Sequence, residues 1–205
     1  PDTFNLGWKL AAVLQKRSDR KLLTTYSSER REVAHQLINA DRELSKLVAT
    51  RPSSNDTSKK ARIDTAKIEA FMKRQSGFVS GSSIEYLPSY ICTGQENQHL
   101  ATGLKIGQRF FSAEVIRLCD GRSQHLGHLI KADGRWRIFL FSGDEDPRDQ
   151  ESNSYRFLDF LAQSSASPVK RYTSAGADID ATIDTYAIFQ DHNLSMPELH
   201  KYLWP

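Results

Sequence analysis

A run of β-prone apolar residues in the second half of the chain constrains the fold most strongly. Residues 135–141 read RWRIFLF, with a turn signal at Asp133-Gly134 before them and Ser142-Gly143 after them. A strand that is apolar on both faces is typical of a parallel or mixed sheet covered on each side by other elements. We therefore predict that this run is the central strand of a small α/β domain.

The segments after this run predict a strand–helix–strand unit. Residues 152–163 carry apolar side chains at helical spacing, and residues 184–189 (DTYAIF) form a second β-prone run. A helix between two strands at this spacing indicates a crossover with parallel pairing. Earlier, residues 115–118 predict a short strand, and residues 125–130 fit either a strand or a short helix.

The first part of the chain predicts helices. Apolar residues cover most of the circumference of a helix over residues 2–14, which predicts burial on more than one side. A long helix is expected over residues 19–49. Two such helices make no closed core and look like the end of a larger domain. Residues 51–62 predict an exposed linker, and a helix capped by Asp64 is expected to stop at Ser76-Gly77.

Charge and hydropathy exclude several classes of partner. The net charge is +3, with +7 on residues 1–75 and −4 on the remainder. The basic residues alternate with acidic ones along helical patterns, which favours solvated faces over a nucleic-acid surface. Because no apolar run approaches the ~20 residues of a membrane helix, no membrane contact is predicted.

The candidate chemical groups form no recognisable site. Cys92 and Cys119 make no CxxC, so we expect reduced thiols in a cytoplasmic protein and no disulfide exchange. His125 and His128 would share a face on a helix and oppose each other on a strand, and no third ligand accompanies them. Neither a metal site nor a catalytic residue is therefore predicted within this chain.

Two groups of residues near the start resemble a known family. The first is Asp2, Asn5, Leu6, Trp8, Lys9 and Leu10, and the second is Leu22, Leu23, Tyr26, Glu29, Arg30 and Ala34. Together they resemble the end of the FAD-binding domain in flavin-dependent aromatic hydroxylases of the phenol 2-monooxygenase type. Glu32 departs from that pattern, which usually has proline there.

The later part resembles the C-terminal thioredoxin-like domain of the same hydroxylases. The matching segments are residues 107–110, residues 115–121 and residues 132–138. The resemblance implies terminal helices of an FAD-binding domain over residues 1–51, a linker with one helix over residues 52–102, and a thioredoxin-like domain over residues 103–205. That domain lacks a CxxC motif, and its last part is expected to follow Pro205.

The resemblance also implies a function for the parent protein. Such an enzyme uses FAD as cofactor and NADPH as co-substrate, hydroxylates a phenolic ring and forms a homodimer. In this chain Asp2 and Asn5 would lie near the edge of the FAD site, or would act only as a helix cap and a helix-packing amide. The chain itself is expected to supply scaffold and association surface. The alternative is a stand-alone, non-catalytic thioredoxin-like interaction module.

Overall fold

The computed structural model describes residues 2–49, 65–190, 194–195 and 198–203. It divides the chain into two units, residues 1–111 and residues 112–205. The predicted linker at residues 51–62 and the predicted cap Asp64 lie outside the described residues. The predicted domain boundaries at 51/52 and 102/103 stay predictions.

Three helices form the main part of the first unit: α1 (Asp2–Leu14), α2 (Thr24–Ala49) and α3 (Thr65–Val79). The long helix expected from residue 19 instead starts at Thr24. Asp19 accepts a hydrogen bond from the backbone N–H of Lys21 at 2.8 Å and so caps a separate 3₁₀ turn, Arg20–Leu23. The capping side chain thus satisfies a backbone donor of this shorter turn.

One stripe of α2 and the turn before it is buried. Leu22, Thr25, Glu29 and Val33 recur at intervals of three and four residues and are each less than 9% exposed. This spacing places them on one side of the chain, which is how a helix packs against its neighbours. Two members of the stripe are polar, so packing here depends on satisfied polar groups as well as on apolar area.

Helix α1 contradicts the prediction that its apolar residues are buried on more than one side. Lys9 is its buried residue, whereas Phe4 and Leu14 are each 72% exposed. The helix itself is confirmed, since α1 spans Asp2–Leu14 as the apolar pattern predicts. However, the residue of α1 that is fully buried is a lysine, and polar side chains occupy the face that meets α2.

Helix α3 also runs further than its sequence predicts. It passes through Ser76-Gly77, and the Ser80 N–H still donates to the Ser76 carbonyl at 3.0 Å. The stop is Gly81, whose φ of +74° is strained for any residue with a side chain.

Residues 84–111, called the arm below, fold back on themselves within the first unit. Glu85 and Gln108 form an antiparallel bridge, and the Tyr86 N–H donates to the Gly107 carbonyl at 2.9 Å. Gly107 has a φ of +84°, and a Cβ there would lie 2.3 Å from the Tyr86 carbonyl oxygen. The close approach of the two backbone segments therefore requires glycine.

The second unit begins with a small hairpin. Strand β1 (Glu114–Ile116) pairs antiparallel with β2 (Ser123–His125), and a 3₁₀ turn follows at Leu126–His128. The segment that fitted either a strand or a short helix thus forms one residue of strand and then a helical turn.

The predicted strand–helix–strand unit is confirmed, and with it the α/β class. Strand β3 (Trp136–Phe141) pairs parallel with β4 (Ile183–Ile188) over six residue pairs. Helix α4 (Asn153–Gln163) lies between them in sequence, and the Ser152 hydroxyl accepts the Tyr155 N–H as its N-cap. A short helix α5 (Pro168–Tyr172), with proline at its start, was not predicted.

The core of the second unit lies on one face of this strand pair. Leu161 of α4, Val169 of α5 and Ile183 of β4 are buried together, with Ile138 packed against them. Within the described residues β3 pairs with β4 alone, and its end residues Trp136 and Phe141 are half-exposed. The prediction of a central strand covered on both faces is therefore wrong for this part of the chain.

Candidate functional site

Helix α1 turns a polar face toward α2. Asp2, Asn5 and Lys9 are spaced by three and four residues, so their side chains share one side of the helix. They meet Glu29 and Arg30 of α2, and the Tyr86 hydroxyl of the arm adjoins them. These six residues are called the polar cluster below.

The centre of the polar cluster is a buried ion pair. Lys9 Nζ donates to Glu29 Oε2 at 2.6 Å, and the two side chains are 0% and 4% exposed. Lysine and glutamate are almost never fully buried unless paired, because an isolated charge in a protein interior is costly. The pairing therefore explains how both groups are accommodated between the helices.

Asn5 extends this pair toward the arm. Its Nδ2 donates to Glu29 Oε2 at 2.7 Å and lies 3.5 Å from the Tyr86 hydroxyl. Its Oδ1 is buried and has no hydrogen-bond partner among the described residues. Asn5 thus joins α1 to α2 while one acceptor stays available.

Asp2 and Arg30 form a second ion pair across the helices. Arg30 Nε donates to Asp2 Oδ1, and the aspartate is largely exposed. Burial lowers the pKa of Arg30, but hydrogen bonds to Asp2 and Tyr86 outweigh it and raise that pKa above its ordinary value. The Asp2 carboxylate is directed at α2 and makes no capping hydrogen bond within the described residues.

Asn5 takes the helix-packing role that the sequence offers as its alternative. Asp2 pairs with Arg30 of α2, which differs from the helix-capping role offered for it. Their position at the edge of an FAD site stays a prediction. Lys9 and Glu29 belong to the sequence pattern that resembles the family, but that pattern predicts no contact between them and no site role for either. The available signal was the spacing of Asp2, Asn5 and Lys9, together with the place of Lys9 in a run that is otherwise apolar.

The cysteines show no features of a redox site. Both are free, and Cys92 Sγ donates to the Tyr86 carbonyl at 3.6 Å. Burial raises the pKa of the Cys92 thiol, and the charges of Glu29 and Glu85 raise it further. Thiol exchange requires a lowered pKa, so Cys92 is poorly suited to it.

The histidines do not assemble a metal site. The His125 and His128 rings meet edge to face with centroids 5.5 Å apart. Across the described residues, no three His, Cys, Asp or Glu side chains are grouped so as to hold a metal ion. Among the residues that the structure describes, no helix has both the length and the apolar character that a membrane span requires.

A second group of charges fixes the turn before β3. Asp133 Oδ2 accepts from Arg135 Nε at 2.9 Å and from Arg137 at 2.7 Å, while Arg135 also donates to Asp180 at 2.7 Å. Hydrogen bonds from Arg137 and then Arg135 hold the pKa of Asp133 well below its ordinary range. The residues of the ADGRWR segment thus have a structural role in joining the ends of β3 and β4.

Two family models match the chain in succession. Residues 1–41 match an FAD binding domain, and residues 84–205 match the C-terminal dimerisation domain of phenol hydroxylase. The polar cluster draws residues from both matched segments, because Tyr86 lies in the second and the other five lie in the first.

Individual relatives agree with these matches. The chain is 42% identical over 188 residues to a 3-hydroxybenzoate 4-monooxygenase of Comamonas testosteroni, covering 92% of this chain and 29% of that protein. It is 33% identical over 209 residues to the FAD-dependent monooxygenase terD of Aspergillus terreus, covering 100% and 33%. It is 31% identical over 147 residues to the phenol 2-monooxygenase fsqG of Aspergillus fumigatus, covering 70% and 23%.

The chain spans a third or less of the length of these curated relatives. The dimerisation-domain match alone covers more than half of the chain and follows the FAD-binding match in order. These matches confirm the resemblance inferred from the sequence. The chain belongs to the phenol hydroxylase family, as its C-terminal dimerisation domain preceded by a segment of its FAD-binding domain.

Proposed function

We propose that this chain is the C-terminal portion of an FAD-dependent, NADPH-using aromatic hydroxylase. The observation that carries the proposal is the succession of an FAD-binding match and a dimerisation-domain match in one chain. The substrate would be a phenolic small molecule, and the protein would be a homodimer in the cytoplasm. The free thiols of Cys92 and Cys119 suit a reducing compartment.

The cofactor would supply the chemistry, and the residues of this chain would support it. The chemistry that FAD would supply, once reduced by NADPH, is reaction with dioxygen, in which one oxygen atom is transferred to an aromatic ring and the other is released as water. Asn5 fits the edge of such a site because its buried Oδ1 is an unused acceptor, suited to an N–H or O–H donor of the cofactor. Asp2 fits less well as a ligand, because its carboxylate is engaged by Arg30.

The role of the polar cluster under this proposal is to orient α1. The Lys9–Glu29 pair and the Asn5–Glu29 hydrogen bond fix the rotation of the helix that carries Asn5. No residue of this chain is assigned a catalytic role. We therefore expect the isolated chain to bind FAD only weakly and to catalyse no hydroxylation. A titration that gives micromolar or tighter affinity would contradict this assignment.

The proposal is tested on the native protein. An antibody against residues 103–205 should recover from the source cells a protein about three times as long as this chain and carrying the absorption spectrum of oxidised flavin. Addition of NADPH and a phenolic substrate should then give hydroxylated product. A recovered protein of this length without flavin would refute the proposal.

A second candidate is a stand-alone association module. The observation in its favour is that α4, α5, β3 and β4 close a small core within the second unit. In that case the antibody recovers a protein of 205 residues that self-associates. A constant monomer mass by light scattering over a hundredfold range of concentration would argue against this candidate.

A further inference from the structure

The start of the dimerisation-domain match does not coincide with the start of the second unit. The match begins at residue 84, yet residues 84–111 belong to the same unit as α1, α2 and α3. The arm is therefore attributed to one module by its sequence and to the other by its packing. Contacts between the arm and the helices must therefore hold the two together in one unit.

The arm has an ordered conformation of its own. The Gln98 side chain ties the middle of the arm to its later part, since its Nε2 donates to the Leu104 carbonyl at 2.9 Å and its Oε1 accepts the Ile106 N–H at 2.7 Å. Lys105 forms an ion pair with Glu85, beside the bridge between Glu85 and Gln108. These bonds fix the backbone of the arm and therefore the position of the Tyr86 side chain.

Tyr86 is the member of the polar cluster that the arm contributes, and Cys92 of the arm lies near it. The Tyr86 hydroxyl lies 3.5 Å from Asn5 Nδ2 of α1, and Tyr86 contributes to the raised pKa of Arg30 on α2. The charge of Glu29 acts on the Cys92 thiol, and that thiol in turn donates to the Tyr86 carbonyl. Tyr86 thus contacts α1 at Asn5, the same residue that donates to Glu29 of α2 in the buried ion pair.

We propose that Tyr86 is a latch that docks the arm of the dimerisation module onto α1 and α2, so that the arm and the two helices open together. The hydrogen bond from Asn5 to Tyr86 is long, but Asn5 is itself held by a charge-assisted hydrogen bond to the Glu29 carboxylate of α2 at 2.7 Å. The latch depends on the family matches and the geometry, and it holds whether or not the parent protein is a hydroxylase.

The test is hydrogen exchange on the full 205-residue chain, comparing Tyr86→Phe with Tyr90→Phe. Phenylalanine keeps the ring of Tyr86 and removes only the hydroxyl, so the fold is retained. Tyr90 lies on the same arm and is more than half exposed, which makes it the matched control. Exchange is followed at amides of α1, α2 and the arm, and at amides of β3 and β4 as an internal reference.

In Tyr86→Phe we expect protection of α1, α2 and the arm to fall by the same factor, about three- to tenfold, as the loss of a hydrogen bond implies. Protection of β3 and β4 should not change, and Tyr90→Phe should match the wild type. Equal exchange in the two variants would overturn the proposal. So would a fall confined to the arm, since the helices would then open independently of it.

A double-mutant cycle provides an independent check. Asn5→Ala and Tyr86→Phe, if they act on one contact network, should together reduce protection by less than the product of their separate effects. For Asn5→Ala combined with Tyr90→Phe, the two factors by which protection falls should instead multiply. If the effects of Asn5→Ala and Tyr86→Phe on protection also multiply, α1 and the arm are not coupled through this contact and the latch is refuted.

Discussion

Removing the charge of Glu29 provides the sharpest test of the polar cluster. At the observed 2.6 Å, the Lys9–Glu29 attraction amounts to about 6 kcal/mol for an effective dielectric constant of about 20. Desolvation of the two buried charges offsets most of this attraction, since it costs several kcal/mol for each ion. The pair as a whole thus contributes little net stability, but the loss of one partner leaves the other charge buried and uncompensated.

Glu29→Gln is therefore expected to lower the free energy of unfolding of the first unit by about 3–5 kcal/mol. Lys9→Met should cost less, because Asn5 still donates to the remaining carboxylate. The double variant Lys9→Met with Glu29→Leu should lie within about 1 kcal/mol of the wild type or above it, since apolar side chains of similar volume need no charge partner.

Urea unfolding followed by circular dichroism at 222 nm measures this effect. The signal arises mainly from the first unit, because α1, α2 and α3 contain most of the helical residues. The matched control is Glu43→Gln on α2, whose ion pair with Arg74 is about half exposed on both sides. Exposed pairs contribute about 0–1 kcal/mol. The reasoning is refuted if Glu29→Gln costs no more than Glu43→Gln, or if the double variant is less stable than Glu29→Gln alone.

Three further predictions concern the arm and the exposed groups. Gly107→Ala should destabilise the arm by about 2 kcal/mol or more, because it forces a side chain into a left-handed conformation and against the Tyr86 carbonyl; hydrogen exchange of the arm measures this. Cys92 should react with iodoacetamide at pH 8 more slowly than the exposed Cys119, because burial raises its pKa; mass spectrometry follows the two rates. Asp120 should titrate by NMR at a pKa of about 2, so its stabilising contribution should be complete above about pH 4 and should be lost as the pH falls through about 2.

Each of these predictions has a control within the chain. Gly103→Ala meets no atom within 4 Å and should leave the arm unchanged, so an equal effect at both glycines would contradict the account of Gly107. Alkylation of Cys92 ahead of Cys119 would contradict the account of the thiol. In Arg117→Gln the pKa of Asp120 should return toward its ordinary value, since the Arg117 hydrogen bond is the main cause of the shift.

In the second unit, β3, α4 and β4 agree with the prediction because the sequence signals for each of them lie within the element itself. The apolar run of β3, the capping Ser152 and the spacing of α4 each specify an element within a few residues, and the crossover rule then gives parallel pairing with β4. The short helix α5 was missed, although Ser167 followed by Pro168 is a helix-start signal. Its five residues are too few to show a helical period.

The structure of the first unit differs from the prediction because the contacts that decide it join residues far apart in the sequence. Periodicity identifies the apolar side of α1, but it carries no information about which side meets α2. That choice depends on Glu29, twenty residues beyond Lys9. The predicted end of α3 at Ser76-Gly77 is also wrong. A Ser-Gly pair can end a helix, but it does so only where the backbone changes conformation, and in α3 that change occurs at Gly81.

The orientation of α1 can be understood by weighing its two faces. Turning Phe4 or Leu14 inward would gain at most about 1.5–3 kcal/mol for each side chain. The same rotation would remove Lys9 from Glu29 and leave a buried carboxylate without its cation, at a cost of about 3–5 kcal/mol. It would also separate Asp2 from Arg30. The polar contacts therefore determine how α1 lies on α2, even though the ion pair adds little net stability. A variant with both charges replaced by apolar side chains should accordingly keep its stability and lose this fixed orientation.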